Sequence, residues 1–383
     1  MFEEDIKRLK EKGLLRKIHD REIPSGDAFV SLGSRIVLEG TEYINFASND
    51  YLGLSSSSDL ADAAKKAVDA FGFGAGASRL LSGGTAMHAK LEKEVAIFKG
   101  TEAALALNSG YQANTGVIPA LAGEGAVIFS DELNHASIVD GCRLSRAKKV
   151  IYNHRDIYHL SSLLHNEAGA KKIIVTDTVF SMDGDIAPIR NLYELCSGLP
   201  GTMLYLDDAH GTGVLGGGRG ALTHFGLTPQ SWIVQMGTFS KALGSFGAFV
   251  AGTRELIDWL INTSRGFIYS TALPPCIAAA SAAAIEIVGR EKSLNDKLWK
   301  NQKRAADGIR DGGFNIISRE TPILAVVVGD VAETLAFSDR LKQRRIYAPA
   351  IRPPTVKNPR IRITVSAAHS DEDIESLINA FSG

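Results

Sequence analysis

The chain has 383 residues, more than one small core needs and enough for two substructures, one of them large. Its 42 basic and 43 acidic residues leave a net charge of −1, so no field draws nucleic acid or an anionic membrane, and the expected partners are small molecules or protein. Cys142, Cys196 and Cys276 are an odd, scattered set without a Cys-x-x-Cys pair, which argues against a disulfide framework and a zinc site and fits a reducing cytoplasm.

Residues 1 to about 18 predict a charged amphipathic helix, with Ile6, Leu9, Leu14, Leu15 and Ile18 at helical spacing, an arm packing on a larger body. Its acidic start lacks the apolar run of a signal peptide. Strand-like runs follow at 35–38 and 43–46, then a polar loop at 48–54. From 59 to 252 helical segments alternate with short apolar runs at 103–107, 127–130, 150–152, 173–176, 203–206, 233–235 and 248–251. Strands apolar on both faces and separated by helices predict an α/β fold with a mostly parallel sheet covered on both sides. Such sheets take their ligands at the carboxyl ends of the strands, where this sequence carries Ser109-Gly110-Tyr111, His135, Ser181 and Asp207 with His210.

Beyond Pro274 the pattern changes to long helices at 277–288 and 294–311, strands at 315–317, 323–328 and 360–365, and a helix at 331–343. This predicts a smaller α+β domain. The Ala-rich run 276–288 is too short to span a bilayer. The expected division is an arm with short strands at 1–47 packing with the small domain, a large domain at 48–275 and a small one at 276–383.

Gly72-Phe73-Gly74-Ala75-Gly76 is not a dinucleotide fingerprint, because it follows a helical segment and has Ala77 where the last glycine belongs. Asp207, taken alone, is as well explained as a cap on the next turn. Lys241, taken alone, is one lysine among many. Together, an acid and a histidine at a strand end, followed by a lysine in a small-residue loop, match the needs of pyridoxal phosphate. That cofactor takes an amine for its Schiff base, a carboxylate for its ring nitrogen and a donor for its phenolic oxygen. Thr238 can offer a hydroxyl to the phosphate, and Ser109-Gly110-Tyr111 opens a helix whose free N–H groups favour an anion.

The ordered series Ser48 to Leu54, His135-Ala136-Ser137-Ile138, Phe180 to Asp185, Asp207 to Gly213, Lys241, Ser270 to Pro275 and Ala367-Ala368-His369 resembles the α-oxoamine synthases. These are pyridoxal phosphate enzymes of the aspartate-aminotransferase fold type. The resemblance implies that Lys241 carries the Schiff base, Asp207 pairs with the pyridinium, His210 and Ser181 bond to the cofactor, and His135 stacks on its ring. Gly110, Tyr111 and Thr238 would serve the cofactor pocket, and Thr271 would reach the phosphate of a neighbouring subunit, which implies a homodimer. Asn49 and Arg352 would bind the amino-acid carboxylate, and Arg16 and Thr355 match substrate-contacting positions.

The stretch Ile351 to Val356 is similar to the biotin-pathway branch. That branch condenses L-alanine with a pimeloyl thioester, on CoA or acyl carrier protein. A glycine-using sister activity with acetyl-CoA and a catalytically idle cofactor-binding protein are the alternatives. Two departures from the family pattern are Asp177 in place of the usual glutamate and the altered turn after Val356.

Overall fold

The computed structural model describes residues 2–11, 15, 18, 20–22, 34–167 and 171–382. Arg16 lies outside them. A seven-stranded sheet forms the centre, with spatial order Ala103–Leu107, Ala248–Gly252, Ile233–Thr238, Thr202–Asp207, Lys172–Asp177, Val127–Asp131 and Lys148–Tyr152. The strand Ala248–Gly252 runs antiparallel to both neighbours, and the other pairings are parallel. The exception has a local cause. Parallel neighbours need a long crossover, whereas residues 239–247 are too few to cross and turn the chain straight back.

Strands in this sheet read as unbroken apolar runs because each face has its own core. Ala104 and Ala106 enter the cluster on one side, while Ala103, Leu105 and Leu107 enter the other. The Ala-rich helix Pro275–Arg290 packs on Ser58–Phe71 and Ala86–Lys99, where small side chains let helices approach closely. Among the described residues no helix is long and apolar enough to cross a membrane.

The C-terminal part holds a four-stranded sheet, ordered Asn315–Ile316, Ile323–Val327, Arg360–Thr364, Ala350–Ile351. Its core, including Leu324, Ile361, Ile363, Ile374 and Phe381, is separate from those of the large sheet. The strands Arg35–Leu38 and Thr41–Asn45 pair with each other, and the second also pairs in parallel with Ile346–Tyr347. Among the described residues the N-terminal helix spans Glu3–Glu11 and none of its residues is buried, Phe2, Ile6 and Leu9 being exposed.

Candidate active site

Loops from both parts of the chain meet in one cavity of about 370 Å3 at the carboxyl ends of the central strands. Of the residues singled out in the sequence, Asn49, Gly110, Tyr111, His135, Ser181, Asp207, His210, Thr238 and Lys241 line it.

Asp207 ends its strand and is buried. Its Oδ2 accepts from Asn114 Nδ2 at 2.7 Å and its Oδ1 from the Ala209 N–H at 3.0 Å. Asn114 is itself buried inside the helix Gly110–Leu121 and accepts from the Tyr205 hydroxyl at 2.8 Å. Asp177 ends the adjacent strand in register with Asp207 and accepts the His135 N–H at 2.7 Å. Burial raises both carboxyls. Asp177 rises well above the usual range because the Asp207 charge adds to it, whereas the Asn114 bond and Lys241 restrain Asp207. Asp208 serves another purpose, pairing beneath the site with the buried Lys99 at 2.8 Å.

Lys241 sits in the short return between two central strands. Gly244 makes that return possible, since it has φ +61° and a Cβ there would lie 2.3 Å from the Leu54 carbonyl carbon. Burial lowers the Lys241 pKa, opposed by Asp207 and Asp177 and helped by Arg362. His210 is pushed well below its ordinary value by burial and then by Lys241, Arg362 and His135, so it is neutral. Its Nδ1 lies 2.6 Å from the Tyr51 hydroxyl. Burial drives Tyr51 up to about 12, so the phenol keeps its proton and donates, which leaves Nε2 of His210 as the N–H. The same logic applies to His135. Its Nδ1 accepts from the Ser137 N–H at 3.3 Å, and its Nε2 becomes the donor.

At the opposite end, Ser109 caps the helix that starts at Gly110 by accepting the Gln112 N–H at 3.1 Å. The Thr238 hydroxyl donates to the Gly247 carbonyl at 2.7 Å and lies 2.7 Å from Ser240 Oγ, which also lines the cavity.

Three expected residues, Arg352, Thr355 and Thr271, are not brought into this wall. Arg16 is outside the described residues. Arg352 and Thr355 lie on a turn at the edge of the small sheet, Thr355 exposed, and neither lines the cavity. Thr271 is exposed and borders a separate pocket, where its carbonyl accepts from Asn108 Nδ2 at 2.9 Å.

The guanidinium in the wall is Arg362, 5% exposed. It donates to the Ser181 carbonyl at 2.6 Å, Thr364 Oγ1 at 2.9 Å and Asn49 Oδ1 at 3.0 Å, and no carboxylate pairs with it among the described residues. Arg362, Asn114, Tyr51 and Ser137 were missed as site residues. The signal for Arg362 was the alternation Arg360-Ile361-Arg362-Ile363-Thr364, which sends both arginines to one face of a strand. The signal for Asn114 was a polar interruption in a helix of small and apolar residues.

The donor set fits pyridoxal phosphate. It offers an amine of lowered pKa, a buried carboxylate held by two N–H donors, a neutral imidazole N–H, and a helix N-terminus with hydroxyls beside it.

The family description of class I and II aminotransferases matches residues 41–381. A relative from Thermodesulfovibrio yellowstonii with 8-amino-7-oxononanoate synthase in its name is 53% identical, over 99% of this chain and 96% of that one. The 8-amino-7-oxononanoate synthase of Geotalea daltonii is 47% identical over 99% and 96%. Among solved structures, Sphingomonas wittichii serine palmitoyltransferase superposes with a TM-score of 0.91 at 30% identity, covering 100% of this chain and 96% of that one. The chain belongs to the class I and II aminotransferase family, within its α-oxoamine synthase branch of pyridoxal phosphate enzymes.

Proposed function

We propose that this chain joins L-alanine to a pimeloyl thioester, carried on CoA or acyl carrier protein, with loss of CO2 and release of the thiol, giving 8-amino-7-oxononanoate. The relatives named for that activity match nearly end to end. The observation that carries the reading is Arg362, a buried guanidinium without a carboxylate partner among the described residues, facing the same cavity as Lys241. A desolvated cation calls for an anion, and an amino-acid carboxylate supplies one with matching planar geometry.

Pyridoxal phosphate, when bound, supplies an electron sink conjugated to the amino-acid α-carbon. Asp207 would hold the ring nitrogen, the Nε2–H of His210 and the Ser181 hydroxyl the phenolic oxygen, and the Gly110 helix start with Thr238 and Ser240 the phosphate. Arg362 and Asn49 hold the alanine carboxylate. Lys241, with its pKa lowered, takes the proton from the alanine Cα. His135 would cover the ring and offer its Nε2–H to the oxygen of the thioester carbonyl as negative charge builds there.

A homodimer belongs to the same reading. Thr271 is exposed and outside its own chain's cavity, so it serves the cofactor phosphate only across an interface. Phe73, Leu80, Leu81 and Tyr269 are large, exposed and apolar, in segments tied together by the Ala272 N–H to the Ala77 carbonyl, and they form a surface fit for a second copy. Light scattering on the purified protein checks this, and a monomer with full activity contradicts it.

Turnover with alanine against glycine, crossed with pimeloyl against acetyl thioesters, tests the function. Preference for alanine with pimeloyl thioester is expected. A preference for glycine with acetyl-CoA overturns the reading.

A further inference from the structure

The strap Phe180–Asp185 carries Ser181 and Met182 into the cavity wall and is gripped from two sides. From the small domain, Arg362 Nε donates to the Ser181 carbonyl at 2.6 Å, Thr321 Oγ1 to the Gly184 carbonyl at 2.7 Å, and Arg360 pairs with Asp183. The approach is close enough that a Cβ on Gly184 would lie 2.1 Å from the Ile323 carbonyl oxygen.

The large domain grips the same strap through a cluster for which the reaction has no use. His154 Nδ1 lies 3.0 Å from Asp131 Oδ1 and its Nε2 lies 2.8 Å from Asp185 Oδ2, so each ring nitrogen meets a carboxylate. Arg155 Nη1 adds a 3.0 Å contact to Asp185 Oδ2 and one of 3.6 Å to Glu320, and the Arg155 N–H donates to Asp131 Oδ2 at 3.0 Å. Glu132 accepts the His154 N–H at 3.1 Å. The imidazole also stands edge-on to Phe180, with centroids 4.4 Å apart. Both carboxylates are buried.

A neutral imidazole has one N–H and would turn a lone pair toward one of these carboxylates, a costly arrangement in a buried site. Only the charged ring donates to both. Burial opposes that charge, but the bonds to Asp131 and Asp185 outweigh it and push His154 up to about 9. Burial also opposes ionisation of Asp185, yet His154 and Arg155 hold its pKa below the usual value. The ring therefore carries its proton at neutral pH.

We propose that His154 is a positioning residue. Donating to Asp131 and Asp185 at once, it locks the 180–185 strap and, through the Ser181 carbonyl, holds the Arg362 guanidinium in the cavity wall. Its effect on amino-acid binding rests on the reading of Arg362 as the carboxylate site.

Amide exchange of the full holoenzyme, followed by mass spectrometry, tests the lock in His154→Gln and Asp185→Asn. Exchange in 178–188 should rise by about tenfold or more relative to the neighbouring strand 202–207, the size expected from losing a charge-assisted buried hydrogen bond. The wild-type strap should loosen in the same way as pH passes about 9, and His154→Gln should show no such pH step. In the same preparations, titrated with L-alanine without thioester, the alanine Kd should rise about tenfold, while thioester KM and cofactor content stay near wild type. Unchanged exchange at the strap, or an increase spread evenly over the sheet, overturns the proposal. Faster strap exchange with unchanged alanine affinity upholds the lock and faults the Arg362 reading instead.

Discussion

Asp177 and Asp207 end neighbouring parallel strands in register, two buried carboxyls side by side on the cavity floor. A carboxyl raised by burial keeps its proton in the folded chain at pH values where the unfolded chain has lost it. Stability therefore falls as pH climbs from about 3.9, the free carboxyl value, toward the folded one. Asp177→Asn removes this loss and keeps an acceptor for the His135 N–H. The cofactor-free variant should melt higher than wild type at neutral pH and converge with it near pH 4. Melting curves that stay parallel over that range contradict the argument.

Arg362→Lys keeps the charge but not the planar fork that meets a carboxylate with two parallel bonds. It should raise the KM for alanine by more than about tenfold, in line with the cost of spoiling a buried charged contact. Arg352→Lys, on the turn outside the cavity, should change it less than about threefold. Steady-state kinetics decides, and the reverse ranking would return the carboxylate site to Arg352.

Lys99→Met strands Asp208 in the interior with its hydroxyl and N–H donors but no cation. Breaking a buried pair from one side costs about 3–5 kcal/mol. Gly220→Ala should do similar harm, because its Cβ would fall 1.9 Å from Asp208 Oδ2. Urea unfolding of the two variants gives the comparison, with a wild-type midpoint for Lys99→Met as the outcome that refutes it.

Histidines on opposite sides of their ordinary value give the chain two pH limits. His369, buried against Phe46, is lowered from 6.5 to about 4, and His88, His135 and His210 are lowered too, burial being the largest cause in each. These rings stay neutral in the folded chain while the unfolded chain takes up protons, so stability falls as pH drops below about 6.5. His369 alone accounts for about 3 kcal/mol by pH 4. His154 has the opposite sign. Its contribution is whole below about 6.5 and is lost as pH rises through about 9. The cofactor-free chain should show both slopes in melting temperature, and His369→Gln should flatten the acidic one.

What could be seen in the sequence followed from how each residue announces itself. The central strands were legible because both faces of the sheet are covered, so the runs are apolar throughout. Asp207 at a strand end, and His210 and Lys241 in the loops beyond, stood out where small neighbours mark a ligand. Arg362 did not, because it lies inside a strand and its use depends on which face of that strand meets the other part of the chain. Arg352 drew attention through a local motif, on a turn that does not line this cavity. His154 looked like any isolated histidine, since Asp131 and Asp185 are remote in sequence and meet it only after folding.

The cavity borrows a wall. Lys241 belongs to the large sheet and Arg362 to the small one, so an amino acid touching both acts as a bolt across the seam. Occupancy and domain docking then become a single equilibrium, and substrate at a hundredfold excess over its Kd adds about 2.7 kcal/mol against their separation. An empty cavity would then leave the seam to the protein's own bonds across it, Arg362 to the Ser181 carbonyl, Thr321 to the Gly184 carbonyl and Arg360 to Asp183.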